Sequence, residues 1–179
     1  MARIEYADPS GFDDKTTHLI GQLAPLNIFR MMAHVQGVLR PFVDLGGAFL
    51  FEGKLDPVTR ECAILRVGYL SNAGYKTAQH EKIGRDLGMS DDLIDAVKVG
   101  PGASDLSEEH CLTLAYADDL VANVKAGDAT FKPALAHFGA EMLQELTLVT
   151  GYYMMVCRFL ETFEVDIEAG GAAGLNMDS

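Results

Sequence analysis

Apolar residues recur at three- and four-residue spacing along most of the chain, and β-branched residues never alternate over the length of a strand. That pattern predicts an all-α protein, a helical bundle. The first strongly periodic segment, IFRMMAHVQGVL, follows Asn27 as a candidate N-cap. Pro41 is expected to interrupt it before a second apolar segment, FVDLGGAFLF, which Gly46 and Gly47 weaken. The clearest helix start lies in LDPVTRECAILRVGYLSN, where Asp56 can cap and Pro57 takes the first helical position, at which a missing N–H costs nothing. Ser71-Asn72-Ala73-Gly74 reads as a turn, and YKTAQHEKIGRDLG follows as an amphipathic helix closed by Gly88. The bundle is therefore expected to be built around a helical hairpin.

Further on, Ser90 with Asp91 and Asp92 opens a short helix, DDLIDAVKV, that Gly100-Pro101-Gly102 ends. Ser107 with Glu108 and Glu109 starts the next, and Thr130 precedes a shorter one around PALAHF. The last helix runs from Ala140 to about Phe163. It is apolar on more than one face, beyond what a surface helix of a monomer needs, so a homo-oligomer is expected.

With 179 residues the chain suits a single domain, 1–179, and chains of this size bury roughly two thirds of their unfolded surface. Its 14 basic against 26 acidic residues leave a net charge of −12, which repels a phosphate backbone, so no nucleic-acid partner is expected. MARIEYADPSGFDDK has no basic start leading into an apolar stretch, and no run approaches the roughly 18 to 20 apolar residues of a membrane span. A cytoplasmic protein with no membrane partner is expected. Cys62, Cys111 and Cys157 are dispersed and form no CxxC, which suggests reduced thiols packed as small hydrophobes. The five histidines never lie three or four residues apart, so no metal site and no cofactor are expected.

Within RECAILRVGYLSNAGYKTAQH, Glu61 heads an otherwise apolar run and His80 lies nineteen residues later, on the next helix. A carboxylate that accepts from one imidazole nitrogen fixes the tautomer and leaves the other nitrogen for acid/base work. Lys76 lies one turn before His80 on the same helix face, where an ammonium either lowers the histidine pKa or holds a substrate carboxylate. Tyr75 is a candidate donor to a bound oxygen or else a core aromatic. Arg30 and Arg66 can pair with a carboxylated substrate or with the excess Asp and Glu of the chain. The YYMM stripe of the last helix is read as core or interface packing.

The stretch LDPVTRECAILRVGYLSNAGYKTAQHEKIGRDLGMSDDLIDAV resembles the core of the carboxymuconolactone decarboxylase family, which includes the alkylhydroperoxidase D-like proteins. The flanks IFRMMAHV and LTLVTGYYMMVCRFLETFEVDIE extend the resemblance to roughly residues 20 to 168, with its core at about 55–100. It implies an alkylhydroperoxidase D-like fold and assigns Glu61 and His80 to the family's proton-relay positions. His34 matches a family histidine position and is a candidate for the same cavity. The redox members carry a CxxC pair between the Glu and the His, and this chain has Ala73 and Lys76 in those places. Cys62 adjoins Glu61, whose charge raises a thiol pKa, so peroxide reduction is not carried over.

The resemblance implies cofactor-free acid/base chemistry, a decarboxylase or related lyase or isomerase, on a small carboxylated lactone or aromatic-degradation intermediate. His80 and Glu61 are the expected catalytic residues; Tyr75, Lys76, His34 and Arg66 are the expected substrate contacts. Two rival readings are a thiol peroxidase using Cys62 and a non-catalytic small-molecule-binding oligomer.

Overall fold

A computed structural model describes residues 1–172. Those residues form helices and no strand: α1 (Asp14–Gln22), α2 (Asn27–Met32), α3 (Gln36–Gly47), α4 (Pro57–Leu70), α5 (Gly74–Asp86), α6 (Asp91–Val99), α7 (Glu108–Ala122) and α8 (Asp128–Phe163). The all-α bundle expected from the periodicity is what the chain adopts.

Helix α4 is the axis of the bundle. It packs against α5, α6, α7 and α8, and every residue from Thr59 to Gly68 is buried. A helix that is apolar on nearly all faces belongs inside. Its side chains serve three clusters at once. Ile64 and Val67 join the N-terminal helices to the second half of α8, Ala63 meets α7 and α8, and Cys62 and Leu65 pack on α6 and α7. Asp56 caps α4 by accepting from the backbone N–H of Thr59, with Pro57 at the first helical position, as the sequence signals require.

The turn between α4 and α5 is tight. Asn72 takes its left-handed conformation, at φ 50°, which a short polar side chain tolerates. The two helices then approach closely because Gly68 has no side chain: a Cβ there would lie 2.8 Å from Thr77 Cγ2. The hairpin is thus set by a turn residue and a packing glycine together.

Several boundaries differ from the expectation. Asn27 is not a cap: Leu26 holds that position without a side-chain bond, and the Asn27 amide donates instead to the Asp166 carbonyl. Pro41 does not interrupt its helix but lies inside α3. Both Pro41 and Gly37, whose carbonyl loses its helical donor, face solvent, so water replaces the missing bond. The break falls earlier, in a 3₁₀ turn at Ala33–Val35, and α3 runs on through a π turn at Ala48–Glu52. Helix α1, capped by Asp13 on Thr16 N–H, is too short and polar for its periodicity to announce. Thr130 lies within α8, whose first turn follows Gly127. Gly139, at φ 71°, bends α8 where a side chain would be strained, so its second half starts near Ala140 as expected.

Candidate active site in the α4–α5 hairpin

Glu61 lies on the second turn of α4 and His80 in the middle of α5. Helix geometry leaves them roughly 6 Å apart along the hairpin axis, a gap that two side chains can close. They do close it: His80 Nδ1 and Glu61 Oε2 are 2.8 Å apart. A carboxylate offers only acceptors, so Nδ1 carries the proton and donates, and Nε2 is left with its lone pair. The Glu61 side chain is wholly buried and that of His80 is 10% exposed, so the imidazole is the face the pair presents to solvent.

Lys76, one turn before His80, is itself buried. Its Nζ donates to the Ile64 carbonyl at 2.6 Å and lies 4.5 Å from the centre of the Tyr153 ring. The same ring meets His80 edge-on at 4.9 Å between centroids, so Tyr153 contacts both the ammonium and the imidazole. Burial pushes the Lys76 pKa down to about 8. Burial also lowers that of His80, helped by the positive charge of Lys76 and opposed by Glu61. A neutral imidazole oriented by a carboxylate is a proton acceptor at neutral pH.

The other expected contacts lie elsewhere. Tyr75 is on α5, but its hydroxyl donates to Glu168 Oε1 at 2.6 Å and accepts from the Ile28 N–H, fastening the segment after α8 to the hairpin. His34 is exposed in the turn before α3, its Nε2 2.9 Å from the Glu5 carbonyl and outside the buried cluster. Arg66 holds Asp118 through Nε and Nη2, the latter at 2.9 Å, and donates through Nη1 to the carbonyls of Val97 and Lys98. It closes the C-terminus of α6, and each of its three guanidinium nitrogens has a partner. Arg30 bonds Asn27 Oδ1 and covers the Tyr6 ring. These four contribute to packing between elements.

Two residues of the cluster escaped the sequence reading. Tyr153 belongs to the YYMM stripe, whose periodicity is that of any core. Arg60 immediately precedes Glu61, is 3% exposed, and has a buried Nε with no hydrogen-bond partner; Glu61 Oε1 is likewise unpartnered. The RE dipeptide at the head of an apolar run is the signal by which it could have been found.

A carboxylate and an imidazole joined across a two-helix hairpin, with this spacing and turn, is the arrangement that the sequence resemblance implied. Residues 36–100 match the model of the carboxymuconolactone decarboxylase family. No curated protein matches the chain. Among solved structures it is similar to an uncharacterised peroxidase-related protein with an alkylhydroperoxidase AhpD core from Ralstonia eutropha JMP134. That pair shows 18% identity, coverage of 94% of this chain and 93% of that one, and a TM-score of 0.79. A peroxidase-related protein from Silicibacter sp. TM1040 gives 17%, 96%, 93% and 0.81 for the same quantities. A third, an Agrobacterium tumefaciens protein of unknown function ascribed to AhpD-type antioxidant defence, gives 20%, 75%, 93% and 0.70. At these identities the likeness establishes the fold, alkylhydroperoxidase D-like.

Within the carboxymuconolactone decarboxylase frame, the thiol positions of the redox members fall on Ala73 and on the buried Lys76. Two of the three cysteines are poor nucleophiles. Cys62 is fully buried, and burial together with Glu61 pushes its pKa up to about 12. Cys157 is buried and its pKa is raised as well. Among the described residues no three His, Cys, Asp or Glu side chains group as metal ligands, and no helix is long and apolar enough to cross a membrane.

Proposed function

We propose that this protein is an acid/base enzyme that works with its own side chains on a small carboxylated lactone or oxo acid, as a decarboxylase or related lyase or isomerase. The observation that carries the reading is the His80 Nδ1–Glu61 Oε2 bond of 2.8 Å, which leaves Nε2 as the proton carrier at the exposed edge of a buried pair. Glu61 holds the tautomer and stabilises the imidazolium that forms when Nε2 takes a proton from substrate. In an isomerisation the proton taken is one on carbon beside a carbonyl, and His80 returns it at another carbon of the enolate; in a decarboxylation it is the carboxyl proton, returned to the carbanion left by loss of carbon dioxide. Burial, helped by the charge of Lys76, keeps the resting imidazole neutral. We read the working form as a cytoplasmic homo-oligomer.

A thiol peroxidase is the second reading, favoured by the peroxidase-related neighbours in fold. Against it stands a Cys62 thiol that is buried and holds its proton far above neutral pH. A panel of lactone carboxylates and oxo acids, assayed with wild type and His80→Ala, tests the proposal. Turnover of at least one substrate, lost by about 10²-fold or more in the variant, is expected. No turnover across the panel, combined with fast consumption of peroxide by the thiols, would replace the lyase reading with the peroxidase one.

A further inference from the structure

Arg60 is an anomaly in energetic terms. It is 3% exposed, its Nε is buried without a hydrogen-bond partner, and among the described residues no hydrogen bond or ion pair engages its side chain. It also lies near the start of α4, the positive end of the helix dipole, where a cation is disfavoured. A guanidinium cannot shed its proton to relieve this. Burying an unpaired charge is among the costliest things a fold does, and such groups in native proteins find a partner. In a chain with net charge −12 that has paired Arg66 with Asp118 and Arg85 with Asp91, the absence of a carboxylate at Arg60 is selective.

Its surroundings say what the partner is. The charges of Arg60 and Glu61 both act on His80 and on Tyr153, so Arg60 belongs to the same neighbourhood as the imidazole. With Lys76 protonated below its pKa of about 8, that neighbourhood holds two cations and one carboxylate, an excess of one positive charge inside an acidic protein. Glu61 Oε1 lacks a donor there, as Arg60 Nε lacks an acceptor.

We propose that Arg60 is the anion-binding residue of the His80 site, receiving the carboxylate of a small organic acid on its unpartnered Nε–H and holding the rest of that molecule against the imidazole. This deepens the proposed function and rests on it for the location of the site. It also assigns recognition of the substrate carboxylate to Arg60 in place of Arg66, whose three guanidinium nitrogens all have partners within the protein. A bound carboxylate offsets the positive charge that helps hold the His80 pKa down, so binding makes His80 a stronger base as the substrate arrives.

The test is binding, read by NMR on the full chain with levulinate, succinate and benzoate as probes and methyl levulinate as the uncharged control. The Arg60 Nε–H resonance of wild type is expected to shift on addition of at least one of the acids and to ignore the ester, while the His80 pKa rises in the bound form. Arg60→Gln should weaken the responding acid by about tenfold or more, and Arg60→Lys should restore part of it, because charge-assisted hydrogen bonds are the strong ones. If Arg60→Gln does not fold, the wild-type Nε–H titration and the lysine variant still decide. An Nε–H resonance indifferent to all three acids at tens of millimolar overturns the assignment. So does dissociation of the assembly in Arg60→Gln with acid binding unchanged, which would identify a second copy of the chain as the partner of Arg60. Binding that depends on Arg60 without turnover of any lactone or oxo acid keeps the anion site and removes the lyase; turnover that depends on His80 but not on Arg60 does the reverse.

Discussion

The Glu61 carboxylate touches His80 through one oxygen only, and that single bond sets the imidazole tautomer. Glu61→Gln replaces an acceptor-only group by one that can also donate, so the ring is free to flip or to hold its proton on Nε2. Turnover of the substrate found by the panel is expected to fall about 10²-fold or more, with circular dichroism unchanged. Lys76 makes a separate prediction. Its folded pKa of about 8 lies below the value of about 10.4 it has in an unfolded chain. Below 8 both states hold the proton, and the folded chain bears the full cost of a buried ammonium. Between about 8 and 10.4 the unfolded chain keeps a proton that the folded one has released, so this group makes stability rise with pH. Lys76→Met should therefore stabilise the protein at pH 7 by about 1–3 kcal/mol in urea unfolding, and the gain should shrink as pH is raised through that window. The same variant should move the acidic limb of the pH–rate profile upward, since burial and Arg60 still lower the His80 pKa but the charge of Lys76 is gone.

At the scale of elements, the contact of α3 with α8 depends on a missing side chain. The Tyr152 ring stacks on Phe42 at 5.2 Å and meets Phe49 edge-on at 5.5 Å, and its hydroxyl donates to the Phe42 carbonyl. A Cβ on Gly46 would lie 2.6 Å from that hydroxyl. Wedged between two rings, Tyr152 has nowhere to retreat. Gly46→Ala is expected to destabilise by about 1–3 kcal/mol despite the better helix propensity of alanine, and thermal melts should show the midpoint falling. The pair Gly46-Gly47 looked like a weakness in the sequence because periodicity weighs a residue only within its own helix. Pro41 misled for a related reason: a lost backbone bond matters where the carbonyl is buried, and Gly37 is in water. In contrast, the starts of α4, α6 and α7 were legible, since each is capped by its own neighbour in sequence, Asp56, Ser90 or Ser107.

For the whole molecule, large apolar side chains remain on the surface of α3, the π turn after it, and α8. Val38 is 53% exposed, Phe51 60%, Leu148 61% and Met155 49%. Patches of this kind on a helical protein mark association surfaces. Light scattering at micromolar concentration is expected to return a multiple of the 19.4 kDa chain mass. A value for the single chain would end the oligomer proposal. Neither of two surface grooves reaches the Glu61–His80 pair: one lies between the end of α7 and the middle of α8, the other beside the α4–α5 turn.

What the sequence by itself determined is whatever is local: the helical period, the three capped starts, the Asn72 turn, and hence the hairpin that puts Glu61 and His80 on facing helices. The resemblance carried by the same stretch named the pair. What only the tertiary structure decided is which charges are left without partners. Arg30, Arg60 and Arg66 are alike as letters in an acidic chain, and propensity cannot tell them apart. Arg66 finds Asp118, fifty-two residues away, because α4 and α7 pack together, while Arg60, buried by the same central helix, meets no carboxylate. Charge pairing is a long-range contact fixed by the packing of helices, so the vacancy at Arg60 exists only once the bundle has closed.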